Sequence, residues 1–209
     1  MSGPTGDTAA LNASPARANT VPAALFFREF CRHPGMIGSI IPSSGRLIDR
    51  MLSKVDWATT KLVVEYGPGV GTFTRPILER LAPDAHLVAI DTNPTFVDHL
   101  SSTIADDRLI LVEGSAVDVG SILEARGLGK ADYVVSGLPF STLPPGVGEA
   151  IVQATQAALK PGGSFGVYQY SRRILSLLRP VFRRIDKDFE LLNIPPVHIY
   201  WGRKDGKQA

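Results

Sequence analysis

The sequence predicts an α/β fold in which a mostly parallel sheet is covered by helices on both faces. Three observations carry this expectation. Short apolar runs alternate with helix-periodic segments from about residue 61 to residue 169. A glycine cluster follows the first of those runs directly, where a strand turns into a helix. The last two runs have no helix between them, only Pro195-Pro196, so they are expected to close the sheet with an antiparallel hairpin.

The elements follow in order. Residues 1–20 are Ala, Ser, Thr, Asn, Pro and Gly with few large apolar side chains, which suits a disordered tail. Val21–Arg32 reads as a short helix with Pro22 in its first turn, ended by His33-Pro34-Gly35. Ser43 and Ser44 are placed to cap a helix carrying Leu47, Ile48, Met51 and Leu52 on one face. Lys61–Tyr66 is a buried strand, followed by a helix near Thr72–Leu81, a strand at His86–Asp91 and a helix from Pro94. The strand Arg108–Glu113, a helix over about Val119–Arg126 and the strand Ala131–Ser136 come next. A helix from about Val147 to Leu159, the strand Ser164–Gln169 and the strands Phe189–Asn193 and Val197–Trp201 complete seven strands. Residues 202–209 read as a second tail, which leaves 21–201 as one domain. Within it, 21–57 is expected to supply N-terminal helices that cover the cofactor and substrate site.

Composition narrows the function. The 209 residues are 44% hydrophobic and 20% charged, an ordinary globular balance. Cys31 is the single cysteine, which excludes an internal disulfide framework and a cysteine-built zinc cluster. His33, His86, His99 and His198 have no metal-ligand spacing, so no metal is expected. A formal charge of +2 gives no sign of nucleic-acid binding. No apolar run reaches the ~20 residues of a membrane-spanning helix, and no signal peptide is apparent. A cytoplasmic protein is expected.

The sharpest local signal is Glu65-Tyr66-Gly67-Pro68-Gly69-Val70-Gly71. Its spacing differs from the G-x-G-x-x-G that seats a pyrophosphate, and Pro68 removes a backbone donor. Glu65 would repel phosphate but suits a cationic ligand. Asp91, twenty residues after Gly71, stands at the end of the next strand, where an acid accepts hydrogen bonds from a ribose diol. The indicated ligand is therefore a nucleoside with positive charge and no phosphate, a description that S-adenosylmethionine fits.

On these residues, about 35–201 resembles the class I S-adenosylmethionine-dependent methyltransferases, with their Rossmann-like sandwich. The resemblance implies that Glu65, Gly67, Gly69 and Gly71 hold the methionine end of the cofactor, with Thr72 also among the cofactor contacts. It implies that Asp91 takes the ribose hydroxyls, with Thr92 and Asn93 beside the adenine, and that the turn Gly114-Ser115-Ala116 reaches the adenine through a hydroxyl or a backbone amide. Ser136, Gly137 and Leu138 match the family's fourth motif, and Ser39 and Ile40 reach the cofactor from the N-terminal side. Arg28 through Leu47, R-E-F-x-R-H-P-G-x-I-G-S-I-I-P-S-S-x-x-L, is similar to the start of bacterial phospholipid N-methyltransferases, and Val135–Phe140 to their fourth motif. The implied reaction is N-methylation of phosphatidylethanolamine, by successive transfers toward phosphatidylcholine. Pro139, Phe140, Tyr168, Arg172 and Arg173 are then the expected substrate contacts, and Tyr66, Tyr168 and Tyr170 the candidate catalytic groups.

Ribosomal RNA adenine methylation is the alternative. Gly38–Pro42 is similar to the start of those enzymes, but they carry N-L-P-F or N-L-P-Y where this chain has Gly137-Leu138-Pro139-Phe140. Gly137 lacks the Asn side chain that accepts the adenine amino group. A membrane-binding module with a vestigial pocket is a second alternative, at odds with an intact Glu65, glycine loop and Asp91.

Two segments are candidates for peripheral docking on the inner face of the cell membrane. Ser171–Lys187 carries six basic residues against Asp186, with Ile174, Leu178, Val181 and Ile185 at helical spacing and Pro180 as a kink or break. It reads equally well as an amphipathic membrane helix or as a core-facing helix with a solvated basic face. Val21–Arg32, with Leu25, Phe26, Phe27 and Phe30 beside Arg28 and Arg32, suits either membrane docking or a lid over the cofactor.

Overall fold

The structure, a computed structural model, describes residues 45–193 and 195–206. Ser39, Ile40, the expected helix Val21–Arg32 and the N-terminal tail lie outside the described residues.

One seven-stranded sheet organises the chain, in the order β3-β2-β1-β4-β5-β7-β6. β1 (Leu62–Tyr66), β2 (His86–Asp91), β3 (Leu109–Glu113), β4 (Ala131–Ser136) and β5 (Leu159–Gln169) run parallel. β7 (Val197–Arg203) is antiparallel to both β5 and β6 (Arg184–Glu190). All five residues of β1 are buried, as expected of a central parallel strand packed on both faces.

The helices form two layers. On one face, α1 (Gly45–Leu52) and α2 (Thr74–Arg80) bury Leu47, Met51, Leu52, Ile77 and Leu78 against Val63, Leu87, Tyr133 and Trp201. α3 (Pro94–Thr103) buries Leu100. On the other, α4 (Val119–Ala125), α5 (Val147–Ala158) and α6 (Ile174–Leu178) cover Val64, Val88, Val134, Phe165 and Val167. Asn93 caps α3 by accepting the Thr95 amide, with Pro94 in the first turn. Beneath α1, Tyr133 donates to the Met51 carbonyl at 2.8 Å, and the Trp201 indole donates to Tyr133 Oη at 2.9 Å. These buried polar groups are thereby satisfied. Arg50 ties α1 to β6 through Asp188 at 2.9 Å and Glu190 at 3.0 Å.

Three expectations need correction. β6 is Arg184–Glu190, not Phe189–Asn193. Its exposed residues are mostly charged, Arg184, Lys187 and Asp188 beside Phe189, as suits a sheet edge, whereas the apolar Leu191-Leu192 that suggested a strand form the turn after it. Ser171–Lys187 is not one helix: α6 stops at Leu178, and Pro180, which lacks an N–H, follows. Ile174, Leu178 and Phe182 lie in the core, so the apolar face of this segment is occupied by the protein itself. The chain beyond Trp201 is not a tail at its start. β7 runs to Arg203, and Lys204 exchanges backbone hydrogen bonds with Gly162 and Gly163. Its Nζ also reaches the Gln156 and Leu159 carbonyls at the end of α5, at 2.8 and 2.7 Å. No described helix is long and apolar enough to cross a membrane.

Candidate active site

The carboxyl ends of β1, β2 and β4 meet at one rim of the sheet, and the loops leaving them build a cleft. After Tyr66 the chain turns through Gly67, Gly69 and Gly71, with φ of 66°, 55° and 89°. Those angles are costly for any residue with a Cβ. Space adds a second reason: a Cβ on Gly67 would come within 3.0 Å of Leu138, and one on Gly71 within 2.9 Å of Leu100. The loop is tied to its neighbours by the Gly67 amide donating to the Ile90 carbonyl at 2.9 Å.

Asp91 ends β2 under this loop. Its carboxylate accepts the Gly69 amide at 3.3 Å and the Asn93 amide at 2.9 Å, while burial pushes its pKa upward. Glu65 lies one residue before the end of β1 and is buried. Thr74 Oγ donates to it at 2.7 Å. Burial, only partly offset by Thr74 and reinforced by the charge of Asp91, raises its pKa to about 8. The carboxyl is therefore mostly protonated near neutrality and ionises when a cation comes beside it.

The cleft is narrow and partly open to solvent. Gly67, Asp91, Thr92, Gly114, Ser115, Ala116 and Leu138 line it, so seven of the expected cofactor residues come together. Thr92 Oγ is buried there without a hydrogen-bond partner. Such an orphan is rare in a folded interior and invites a polar ligand edge. Ser115 Oγ accepts the Val117 amide, capping the 3₁₀ turn Ala116–Asp118, and keeps its own proton for donation. An acid, an orphaned hydroxyl and apolar walls fit a nucleoside such as that of S-adenosylmethionine.

Ile90, Pro144, Val147 and Ile151 complete the lining and were missed by sequence reasoning. Val147 and Ile151 stand four apart on α5, a spacing that marks one helix face but not what the face covers.

Not every expected residue reaches the cleft. Ser136 is fully buried and its Oγ accepts the Leu138 amide, so it holds the turn rather than a ligand. Thr72 lies half-buried in the turn before α2 and is not among the lining. Tyr66 is a correction: its hydroxyl sits 3.1 Å from Thr155 Oγ inside the helical layer, and burial raises its pKa, so it cannot face an acceptor. Phe140 is another, packed in the core edge-on to Phe165 at 6.4 Å. Pro139 lies in the loop after β4, its carbonyl accepting the Thr142 amide. Of 21–57, the described part contributes α1 to the sheet face and no residue to the cleft.

Tyr168, by contrast, is at the rim. Its ring stacks on Phe73 at 5.4 Å. Its hydroxyl lies 3.2 Å from where a Cβ on Gly137 would stand, with the Gly67 carbonyl 3.3 Å from the same point. Tyr170 is exposed just beyond β5. Arg172 and Arg173 are exposed at the start of α6 and line an open groove along β6 and β7 with Arg179 and Lys187. Gln169 joins the two regions, its Nε2 donating to the Leu138 carbonyl at 2.8 Å.

Comparison with known proteins shows what the chain is similar to. Residues 63–163 match a family described as a methyltransferase domain. The chain is 32% identical over 187 residues to an ornithine lipid N-methyltransferase from Singulisphaera acidiphila, covering 86% of this chain and 94% of that protein. It is 33% identical to the ribosomal RNA small subunit methyltransferase A of Laribacter hongkongensis, over 47% of this chain and 36% of that one. In fold it is similar to an S-adenosylmethionine-dependent O-methyltransferase from Thermotoga maritima. The TM-score is 0.59 at 10% identity, over 79% of this chain and 67% of that one.

Proposed function

The chain belongs to the class I S-adenosylmethionine-dependent methyltransferases, and from that premise we propose that it N-methylates a lipid amine, with phosphatidylethanolamine as acceptor and successive transfers toward phosphatidylcholine. The observation that carries this reading is the pairing of Gly137 with Tyr168. Where N-L-P-F enzymes present an Asn side chain to adenine, this chain has no Cβ, and a phenol hydroxyl lies 3.2 Å from the vacant Cβ position. The similarity to the ornithine lipid N-methyltransferase, which spans nearly all of that protein, supports a lipid acceptor independently.

Bound S-adenosylmethionine supplies a methyl group already activated by a sulfonium. What falls to the protein is alignment, water exclusion and proton handling. Gly67, Gly69, Gly71 and Glu65 hold the methionine end. Asp91 takes the ribose hydroxyls, and Thr92, Gly114, Ser115 and Ala116 border the nucleoside, with Leu138 as an apolar wall. The hydroxyl of Tyr168 accepts a hydrogen bond from the incoming amine, which must shed a proton before it can act as a nucleophile. Arg172 and Arg173 pair with the lipid phosphate through their planar donor forks.

The test is transfer of labelled methyl groups into a lipid extract. Phosphatidylethanolamine vesicles, ornithine lipid and ribosomal RNA are offered in parallel. Label in phosphatidylethanolamine, counted by chromatography as one, two or three methyl groups, is the expected result. Label only in ornithine lipid would replace the acceptor within the lipid class. Label only in RNA would overturn the reading drawn from Gly137.

A further inference from the structure

Among the described residues, the large apolar side chains most exposed to solvent are Val70, Tyr170, Phe189, Leu191 and Leu192. They are far apart in sequence, yet the sheet brings all of them to one rim. Val70 is in the loop leaving β1, and Tyr66 at the end of β1 is level with Ser136 at the end of β4. Ser136 is in turn level with Val167 near the end of β5, just before Tyr170. Gln169 pairs with His198 at the start of β7, and Glu190 at the end of β6 pairs with Val197. The turn between β6 and β7 therefore projects from the same rim as the cleft, and Leu191 and Leu192 are 69% and 63% exposed on it.

Beside this turn lies a groove lined by Arg172, Arg173, Arg179 and Lys187, with His198 and Tyr200 behind them. None of the four cations forms an ion pair with a described carboxylate. The acid in the groove, Asp188, is paired with Arg50 at 2.9 Å. The groove is thus positively charged; burial, with the charge of Arg172 added, holds the His198 pKa below its usual value.

We propose that this rim docks on an anionic phospholipid bilayer, with Leu191-Leu192 as the inserting wedge and Arg172, Arg173, Arg179 and Lys187 seated on the headgroups. Adjacent aliphatic side chains flanked by unpaired cations match an interface that is apolar inside and negative at its surface. A nucleic acid would use the cations but gain nothing from two exposed leucines, since its bases stack on aromatic side chains. The apolar face of α6 is packed in the core, so the cations of this segment act together with the β6–β7 turn rather than with an apolar helix face of their own. The choice of a lipid surface rests on the lipid-amine reading above. Docking at this rim would present the cleft to the headgroup layer.

The experiment is co-sedimentation of the full chain with vesicles of phosphatidylethanolamine and phosphatidylglycerol, set against phosphatidylcholine alone. Leu191→Ser/Leu192→Ser is expected to weaken binding by roughly tenfold or more, given the apolar area withdrawn. Arg179→Glu/Lys187→Glu should weaken it comparably and only where phosphatidylglycerol is present. Binding of S-adenosylhomocysteine by calorimetry should be unchanged in both. A Leu192→Trp variant provides a second readout, an emission shift to the blue on the anionic vesicles.

Unchanged sedimentation of the double-Ser variant, or an unshifted Leu192→Trp, overturns the proposal and gives the docking role to residues 1–44 or the exposed turn to a protein partner. If the wild type methylates lipid while the double-Ser variant binds vesicles normally, the docking surface falls and the acceptor reading stands. If the double-Ser variant loses vesicle binding while the wild type labels RNA and not lipid, the docking surface stands and the acceptor reading falls.

Discussion

Replacing Glu65 by Gln tests how a buried acid receives a cationic cofactor. Gln is nearly isosteric and can still accept the 2.7 Å hydrogen bond from Thr74, so the substitution removes charge and leaves the packing. In the free protein the Glu65 pKa is about 8, against an ordinary 4.5. At pH 7 such a group is about nine-tenths protonated, and an ammonium placed beside it favours the ionised form. Binding of S-adenosylhomocysteine, whose α-ammonium occupies the same end of the site, should then expel close to one proton from Glu65. The apparent affinity should rise by up to about tenfold per pH unit between pH 6 and 8 and level off above, by linkage. Calorimetry in two buffers of different ionisation enthalpy counts the protons. Glu65→Gln should abolish most of the release and flatten the pH dependence. At pH 8.5 it should bind about ten- to a hundredfold more weakly, the worth of one charge-assisted hydrogen bond of ~1.5–3 kcal/mol. Proton release equal in the variant and the wild type, or a wild-type affinity that is flat from pH 6 to 8.5, would refute the assignment.

Other outcomes are expected at this acid and at four further residues. The same acid affects stability: because its folded pKa lies above its unfolded one, its contribution is least unfavourable below about 4.5 and worsens as pH rises toward about 8. Urea midpoints should fall across that window in the wild type and less steeply in Glu65→Gln. Asp91→Ala should weaken S-adenosylhomocysteine binding by about tenfold or more, since it removes the acceptor of the Gly69 and Asn93 amides as well as a ribose ligand; calorimetry checks this, and unchanged affinity would remove Asp91 from the site. Gly137→Asn should depress methyl transfer strongly while leaving cofactor binding measurable, because the new side chain collides with Tyr168 Oη; Tyr168→Phe should lower kcat more than it raises KM. Tyr133→Phe should cost about 1–2 kcal/mol in urea unfolding, since Trp201 still donates to the Met51 carbonyl at 3.2 Å when the phenol is lost.

Most of the parallel sheet was legible in the chain because each central strand is apolar on both faces, a pattern that local sequence records directly. Glu65, the glycine loop and Asp91 were legible for a related reason: a tight strand-to-helix turn and an acid one strand later both lie within a single β-α-β unit. The outer part of the sheet was not. Leu191-Leu192 looks like a strand to any reading of local hydrophobicity, yet the pairing of Glu190 with Val197 makes it a turn. Ser171–Lys187 carries a helical apolar stripe, but whether that stripe faces a membrane or a core depends on Phe165 and Gly202, which arrive from other strands.

The class of fold and the chemical character of the cofactor both follow from residues close together in the chain, so they could be read without coordinates. It took the packed chain to show that Tyr66 and Phe140 are packing, that the Tyr168 hydroxyl stands beside the Cβ position that Gly137 leaves open, and that the scattered apolar side chains share one rim with the cleft. Each of those depends on strand register between distant segments, and register is fixed by how whole faces pack rather than by any local run of residues.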